Sequence, residues 1–290
     1  MHNYIRAIGF SRYTTARAMR PILNSILRDP EEKVMLHEKG VTYGHMSQSY
    51  GDGIGLRLYV EYEPGMPVRE DHFFPYADSD VITSTSECTV EQRSDKNDYC
   101  GMCEEPSLGI SLIFQLSNGM EYERRRSRGS ARIVGVSLTG LCLDGKVLLP
   151  LSKTVSQKEY SAATVRKRSS LIEAAKNGDE AAMESLAMDD MNIMQQISER
   201  IPNEDVYSMV DTCFMPCGLE SDKYTVFGEI ISLESIENTF TGDEMYRMLL
   251  ECNDISFKVV INKRDLLGAP AVGRRFKGDI WLQGKALFEV

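Results

Sequence analysis

Residues 121–150 read EYERRRSRGSARIVGVSLTGLCLDGKVLLP. Arg124, Arg125, Arg126 and Arg128 fall within five residues, a Gly-Ser turn follows, and two apolar alternating runs come next. Alternation with period two marks half-buried strands, so 133–138 and 141–149 are expected as two strands joined at Thr139-Gly140. Just upstream, Gly109 to Leu116 (GISLIFQL) is an almost unbroken apolar run, expected as a central strand. Between them Ser117-Asn118-Gly119 carries the Asn-Gly pair that favours a tight hairpin. The arginine stretch is therefore expected as the return strand, with Arg124, Arg126 and Arg128 on one face.

Working toward the N-terminus, Leu56, Leu58, Val60 and Tyr62 alternate with Arg57, Tyr59 and Glu61 as a half-buried strand. Ile5 to Phe10 and Val34 to His37 are expected as strands, and 73–76 and 81–90 as weaker ones. Residues 40–55 and 94–106 read as turn-rich or loop. Ala16, Met19, Leu23, Ile26 and Leu27 fall at helical spacing, with Ser11 or Thr14 as N-cap and Pro21 as a kink or break. Residues 1–152 are thus expected to form one α+β sheet domain.

Toward the C-terminus the period changes to 3.6. Residues 153–205 read as a connector of short helices, with Asn177-Gly178 ending one and Asp179 capping the next. Residues 206–290 return to short strands with glycine-marked bends and a small helix near 262–268, the pattern of a small OB-like β-barrel. The fold class is α+β.

The chain has 290 residues, 42% hydrophobic and 26% charged, with net charge −10 and pI near 5.1. That balance argues against nucleic-acid or anionic-membrane binding by the whole surface and leaves local basic patches open. No apolar run is long enough to span a bilayer and no secretory leader is evident. The seven cysteines, without a disulfide framework, fit reduced thiols and a cytoplasmic location.

No catalytic motif is present. Cys100-Gly101-Met102-Cys103 is a C-x-x-C without the second ligand pair that zinc needs, and it lies among acidic residues that disfavour a thiolate. The four histidines form no metal-binding pair. Gly51-Asp52-Gly53-Ile54-Gly55 precedes a strand rather than a helix, so a hairpin loop is expected there and no phosphate cradle. No metal or cofactor is expected.

Two basic clusters remain. Arg124-x-x-x-Arg128 followed by Val136-Ser137-x-x-Gly140 resembles the two-part signature of PilZ domains, which implies cyclic di-GMP binding. The gap between the parts is shorter than in that family, and Gly135 stands where an acidic residue or Asn is usual. The second cluster spans Lys258 to Lys285, including Arg274, Arg275 and Lys277. Seven cations there oppose two acids, whereas 219–256 carries nine acids and two cations. Such an edge would suit single-stranded nucleic acid, or the opposite charges would simply pair across one sheet. Partners are left as a protein or an anionic ligand, with nucleic acid open and no membrane.

The segments YIRAIGFS, EYERRRSRGSARIVGVSLTGLCLDGKVLLPL and VGRRFKGDIWLQGKALF resemble a clostridial family of unknown function, DUF3881. The resemblance implies a cytoplasmic bacterial protein and carries over no functional residue. The residue-level reading is a non-enzymatic binding or scaffold protein. Its alternatives are a nucleotide or nucleic-acid binder using Arg124 and Arg128 or the second cluster, and an enzyme with an unrecognised site.

Overall fold

A computed structural model describes residues 3–38, 40–63, 65–93, 98–105, 108, 110–150, 167, 170–171, 174–175, 177–188, 191 and 212–289. The class is strand-rich α+β with two sheets. The smaller sheet is an antiparallel meander of β1 (Glu32–Glu38), β2 (Val41–Ser49), β3 (Ile54–Tyr62) and β4 (Arg69–Ala77). Its β2–β3 turn uses Gly51 and Gly53, the latter at φ 63°, as a hairpin loop. The helix α1 (Ala16–Arg28) packs on this sheet through Met19, Ile22, Leu23 and Ile26 against Leu56, Leu58 and Val60. Thr15, one residue beyond the expected cap, accepts a hydrogen bond from the Ala18 N–H at 3.2 Å. Pro21 does not break the helix. It withholds one N–H from the Arg17 carbonyl, and the buried face outweighs that loss.

The larger sheet holds ten strands. In chain order they are β5 (Cys88–Gln92), β6 (Tyr99–Glu105), β7 (Ile110–Leu116), β8 (Ile133–Leu148), β9 (Cys213–Pro216), β10 (Lys223–Glu237), β11 (Glu244–Cys252), β12 (Ile255–Asn262), β13 (Leu266–Leu267) and β14 (Arg275–Phe288). The pairings β8–β12, β12–β11, β11–β10, β10–β14 and β14–β8 return to their starting strand. From β14 the sheet continues through β7 and β6 to β5. Strands of 1–152 and of 206–290 therefore share one hydrogen-bonded sheet, across the boundaries expected at 152 and 206.

The strands of this circuit are buried on both faces. Val259 and Ile261 join one core cluster with Phe276, Ile280 and Leu250, while Val260 between them joins a second with Leu141, Trp281 and α1. Near-continuous apolar runs follow from burial on both sides. Arg247, 8% exposed, ties the layers by bonding Glu234 at 2.7 Å and the Asp52 carbonyl at 2.9 Å in the glycine turn.

Several expectations are corrected. Asn3–Ile8 is a 3-10 helix and no strand. Residues 41–49 and 99–105, read as turn or loop, are strands β2 and β6. The two strands expected at 133–149 are one 16-residue strand, β8, because both edges of its glycine-containing middle are paired. The arginine stretch is a helix, α2 (Gly119–Arg126). Its cause is local: the Asn118 side chain exchanges two 2.9 Å hydrogen bonds with the Ala286 backbone, as a strand residue would. With its side chain so used, Asn118 does not turn a hairpin; Met120 then anchors the helix in the core. Of the connector at 153–205, most lies outside the described residues; within it, Asp179 Oδ1 accepts from the N–H groups of Ala181 at 3.0 Å and Ala182 at 3.1 Å, starting a helix over 180–188.

Candidate functional site

Strand alternation sends Leu56, Leu58 and Val60 to α1 and leaves Arg57 and Tyr59 on the opposite face of β3. Neighbouring strands add His45, His72 and Phe74. Tyr59 stacks on His72 with ring centroids 4.6 Å apart, His72 meets Phe74 at 4.7 Å, and Phe74 meets Trp281 of β14 at 5.6 Å. This aromatic row runs from the small sheet to the large one. At its end lies a cleft of about 340 Å³, lined by Phe74, Arg93, Gln115, Glu220, Asp222 and Trp281, among others. That volume suits a small ligand.

A buried polar network builds the wall. Asp222 is 5% exposed and its Oδ2 accepts from Trp281 Nε1 and from the Arg93 guanidinium, both at 3.1 Å. Burial works against the Arg93 charge, but Asp222 and then Asp98 more than offset it and hold the guanidinium above its ordinary pKa. Gln115 is 4% exposed and donates Nε2 to Asp98 Oδ1 at 2.8 Å. A carboxylate only accepts, so this bond orients the amide and leaves Oε1 on its other side. That Oε1 is buried and meets no donor among the described residues. Beside Gln115 and Phe74 is a small space of about 10 Å³, bordered by Arg57, Tyr59, Ser117 and Gln283. It has room for about one water molecule. Arg57 donates to the Ser117 carbonyl and lies over the Tyr76 ring, and its buried Nε has no partner among the described residues.

His45 lies deeper, 4% exposed and edge-on to Tyr59. Burial, then the nearby Arg57 charge, pushes its pKa down from 6.5 to about 3. The neutral ring is thus native, and the unfolded chain binds one more proton wherever the pH lies between these values. Stability from this residue is complete above pH 6.5 and is lost as pH falls toward 3, by roughly 1 kcal/mol per pH unit. Denaturant titrations across this window should show a shallower acid loss in His45→Phe than in the native chain; equal slopes would show that His45 does not contribute.

The sequence-derived candidates fall elsewhere. Arg124 and Arg128 are exposed and make no ion pair among the described residues. Arg125 bonds Glu121 at 3.0 Å and lies 4.7 Å from the Phe288 ring centroid; Arg126 bonds Glu123 at 2.9 Å. Arg125 and Arg126 thus meet acids of their own helix, and basic residues there favour its C-terminal end. Arg126→Ala should cost under ~0.5 kcal/mol, because the pair is solvent-exposed, and Arg125→Ala about 1 kcal/mol, because an aromatic contact is lost as well. Thermal melts of the two variants check this order.

In the second cluster Lys258 pairs with Asp80 at 2.6 Å, Lys263 with Glu244 at 3.0 Å and Arg264 with Asp243 at 3.4 Å. Arg274 donates to the Ala269 carbonyl at 2.7 Å, and Arg275, 8% exposed, donates to the Leu149 carbonyl at 3.0 Å. Arg275 and Lys277 begin β14, whereas Phe288, which Arg125 covers, ends it. Arg275 and Lys277 thus stand about 40 Å of strand from the Arg125 contact, whereas Lys285, the last cation of the second cluster, precedes Phe288 by three residues. Cys100 and Cys103 sit three apart on β6, so their side chains project to opposite faces and cannot share a metal ion. Trp281 and Asp222 carried no motif in the sequence; the one available sign was a lone tryptophan in a strand, whose indole N–H needs a buried acceptor.

No helix of the described residues is long and apolar enough to cross a membrane. Comparison with curated proteins and with solved structures gave no match. A family model described as "Domain of unknown function, E. rectale Gene description (DUF3881)" matches residues 5–284, and the chain therefore belongs to the DUF3881 family.

Proposed function

We propose that this protein is a non-enzymatic binding protein whose ligand occupies the cleft between the β3–β4 face and the large sheet. The observation that carries this reading is the cleft itself, about 340 Å³, with the aromatic rings of Phe74 and Trp281 and the fixed polar groups of Arg93, Gln115 and Asp222 in its lining. A concave site with apolar rings and a few positioned polar groups is the usual form of a small-molecule site. The thiols support a non-catalytic role, since burial raises Cys88, Cys142 and Cys252 to about 12, far from a reactive thiolate. In this reading the β8–β12–β11–β10–β14 circuit is a small OB-like barrel that takes β8 from the N-terminal half, and the free thiols fit a cytoplasmic bacterial protein.

Trp281 is the sole tryptophan and lines the cleft, so its fluorescence reports occupancy. A panel of small amines, carboxylates, sugars and nucleosides should yield at least one class that changes this signal saturably and raises the melting temperature. A panel without any saturable response would sink the reading. A second reading rests on the exposure of Arg124 and Arg128: a nucleotide phosphate would bridge them. Cyclic di-GMP or single-stranded DNA binding at micromolar concentration, abolished in the Arg124→Ala, Arg128→Ala double variant, would favour it.

A further inference from the structure

We propose that Cys88 and Cys103 are the two halves of a reversible cross-strand disulfide, a modification site that pins the edge strand β5 to the large sheet. The two residues stand directly opposite each other in the antiparallel register of β5 and β6. Their side chains share one face and pack with the same core cluster. Among the described residues no other two cysteines are register partners. The ladder also fixes the kind of pair. Its register continues to Arg93 and Asp98, where the Arg93 N–H donates to the Asp98 carbonyl at 2.8 Å. Hydrogen-bonded and non-hydrogen-bonded pairs alternate along an antiparallel ladder, and Cys88 lies an odd number of residues from Arg93. Cys88 and Cys103 are therefore a non-hydrogen-bonded pair, the closer kind, with Cα atoms about 4.5 Å apart. A disulfide spans about 4.4–6.8 Å between Cα atoms, so the backbone need not move to close it. The edge gains from the link, because β5 ends the sheet and buries none of its residues fully.

Cys88 is half-buried and the more accessible thiol, whereas Cys103 is fully buried with its Sγ 3.5 Å from Ser84 Oγ. The oxidant is a small-molecule disulfide. The Cys88 sulfur attacks one of its sulfurs and expels one small thiol; the Cys103 sulfur then attacks Cys88 and expels the second. Two electrons pass from the protein thiols to the small disulfide, and the two protons leave on the released thiols. Burial, then the adjacent Cys103 thiol, push Cys88 up to about 12. So basic a thiol reacts slowly and leaves poorly, and the bond is accordingly slow to form and slow to be reduced. None of this depends on whether the cleft takes a ligand.

The test uses the full folded chain, held overnight with excess oxidised glutathione at about pH 8 to favour thiolate, or with dithiothreitol. Each sample is quenched in acid, alkylated and mapped by mass spectrometry. A Cys88–Cys103 cross-link is expected after oxidation and none after reduction. It should persist in Cys100→Ser, whose side chain lies on the other face of β6, and vanish in Cys88→Ser. The closed loop, residues 88–103, is long enough that the oxidised chain should melt roughly 5 °C or more above the reduced one. Amide exchange along β5 should slow roughly tenfold. Cys88→Ser should show neither change. Glutathione held on Cys88 without the cross-link would overturn the proposal, as would a Cys100–Cys103 bond in place of it. So would a cross-link that lowers the melting temperature, because the native register would then not accommodate it. Mapping of the native chain decides the matter even where a variant fails to fold.

Discussion

A fragment of residues 206–290, expressed without the first half of the chain, is expected not to fold. Its strands β9 to β14 look self-sufficient by pattern, but β8 closes the circuit between β12 and β14. Without β8, one edge of β12 and the whole outer edge of β14 expose unpaired backbone groups, a template for aggregation. Val136, Leu138, Leu141 and Cys142, each fully buried, also leave the core. At ~1.5–3 kcal/mol for each large apolar side chain, the loss of these four is comparable to the whole stability of a typical domain. Far-UV circular dichroism and amide-proton dispersion would check the outcome. A fragment that melts cooperatively would instead establish 206–290 as an autonomous domain, with β8 a mere addition to it.

Asp222→Ala should be the most damaging change in the cleft, at about 2–4 kcal/mol. Removing one partner of a buried ion pair costs ~3–5 kcal/mol, and the Trp281 N–H also loses its acceptor. The value is set lower because the Arg93 side chain is 32% exposed and keeps Asp98 nearby. Asp222→Asn should recover part of the loss, since an amide oxygen still accepts from the indole. Thermal unfolding followed by Trp281 emission measures both effects, with a red-shifted native spectrum expected in Asp222→Ala. A melting point within a degree of the native chain would mean that water replaces the carboxylate, and that the network does not hold the cleft wall.

Motif arguments led to the arginines, and packing explains why the cleft lies elsewhere. Arg124 and Arg128 stand out in the chain because they are adjacent to other arginines, yet α2 places both in solvent. Cleft residues come singly from distant strands: Phe74 from β4, Gln115 from β7, Trp281 from β14, and Asp222 from just before β10. No spacing along the chain encodes their meeting. The second basic cluster shows the converse. Opposite-sign pairing of Lys263 with Glu244 and Arg264 with Asp243 follows from the antiparallel register of β11 and β12, and the charge counts of the two stretches had already suggested it.

Local pattern by itself determined the elements whose apolar residues keep one period or run unbroken. These are α1, with its apolar stripe, β3, with its clean alternation, and β7, β11 and β12, whose apolar runs leave no other reading. The α+β class was legible for the same reason, since it depends on residues near one another in the chain. Only the tertiary structure decided that residues 119–126 are helix, because the hairpin preference of Asn118-Gly119 gives way once Asn118 is bonded to Ala286, 168 residues away. It also decided that β2 and β6 are strands, since their glycines and polar residues are tolerated only between paired neighbours. And it decided that the two halves share one sheet: the pairing of β8 with β12 and β14 is a contact between segments more than a hundred residues apart, which a period measured within one window cannot contain.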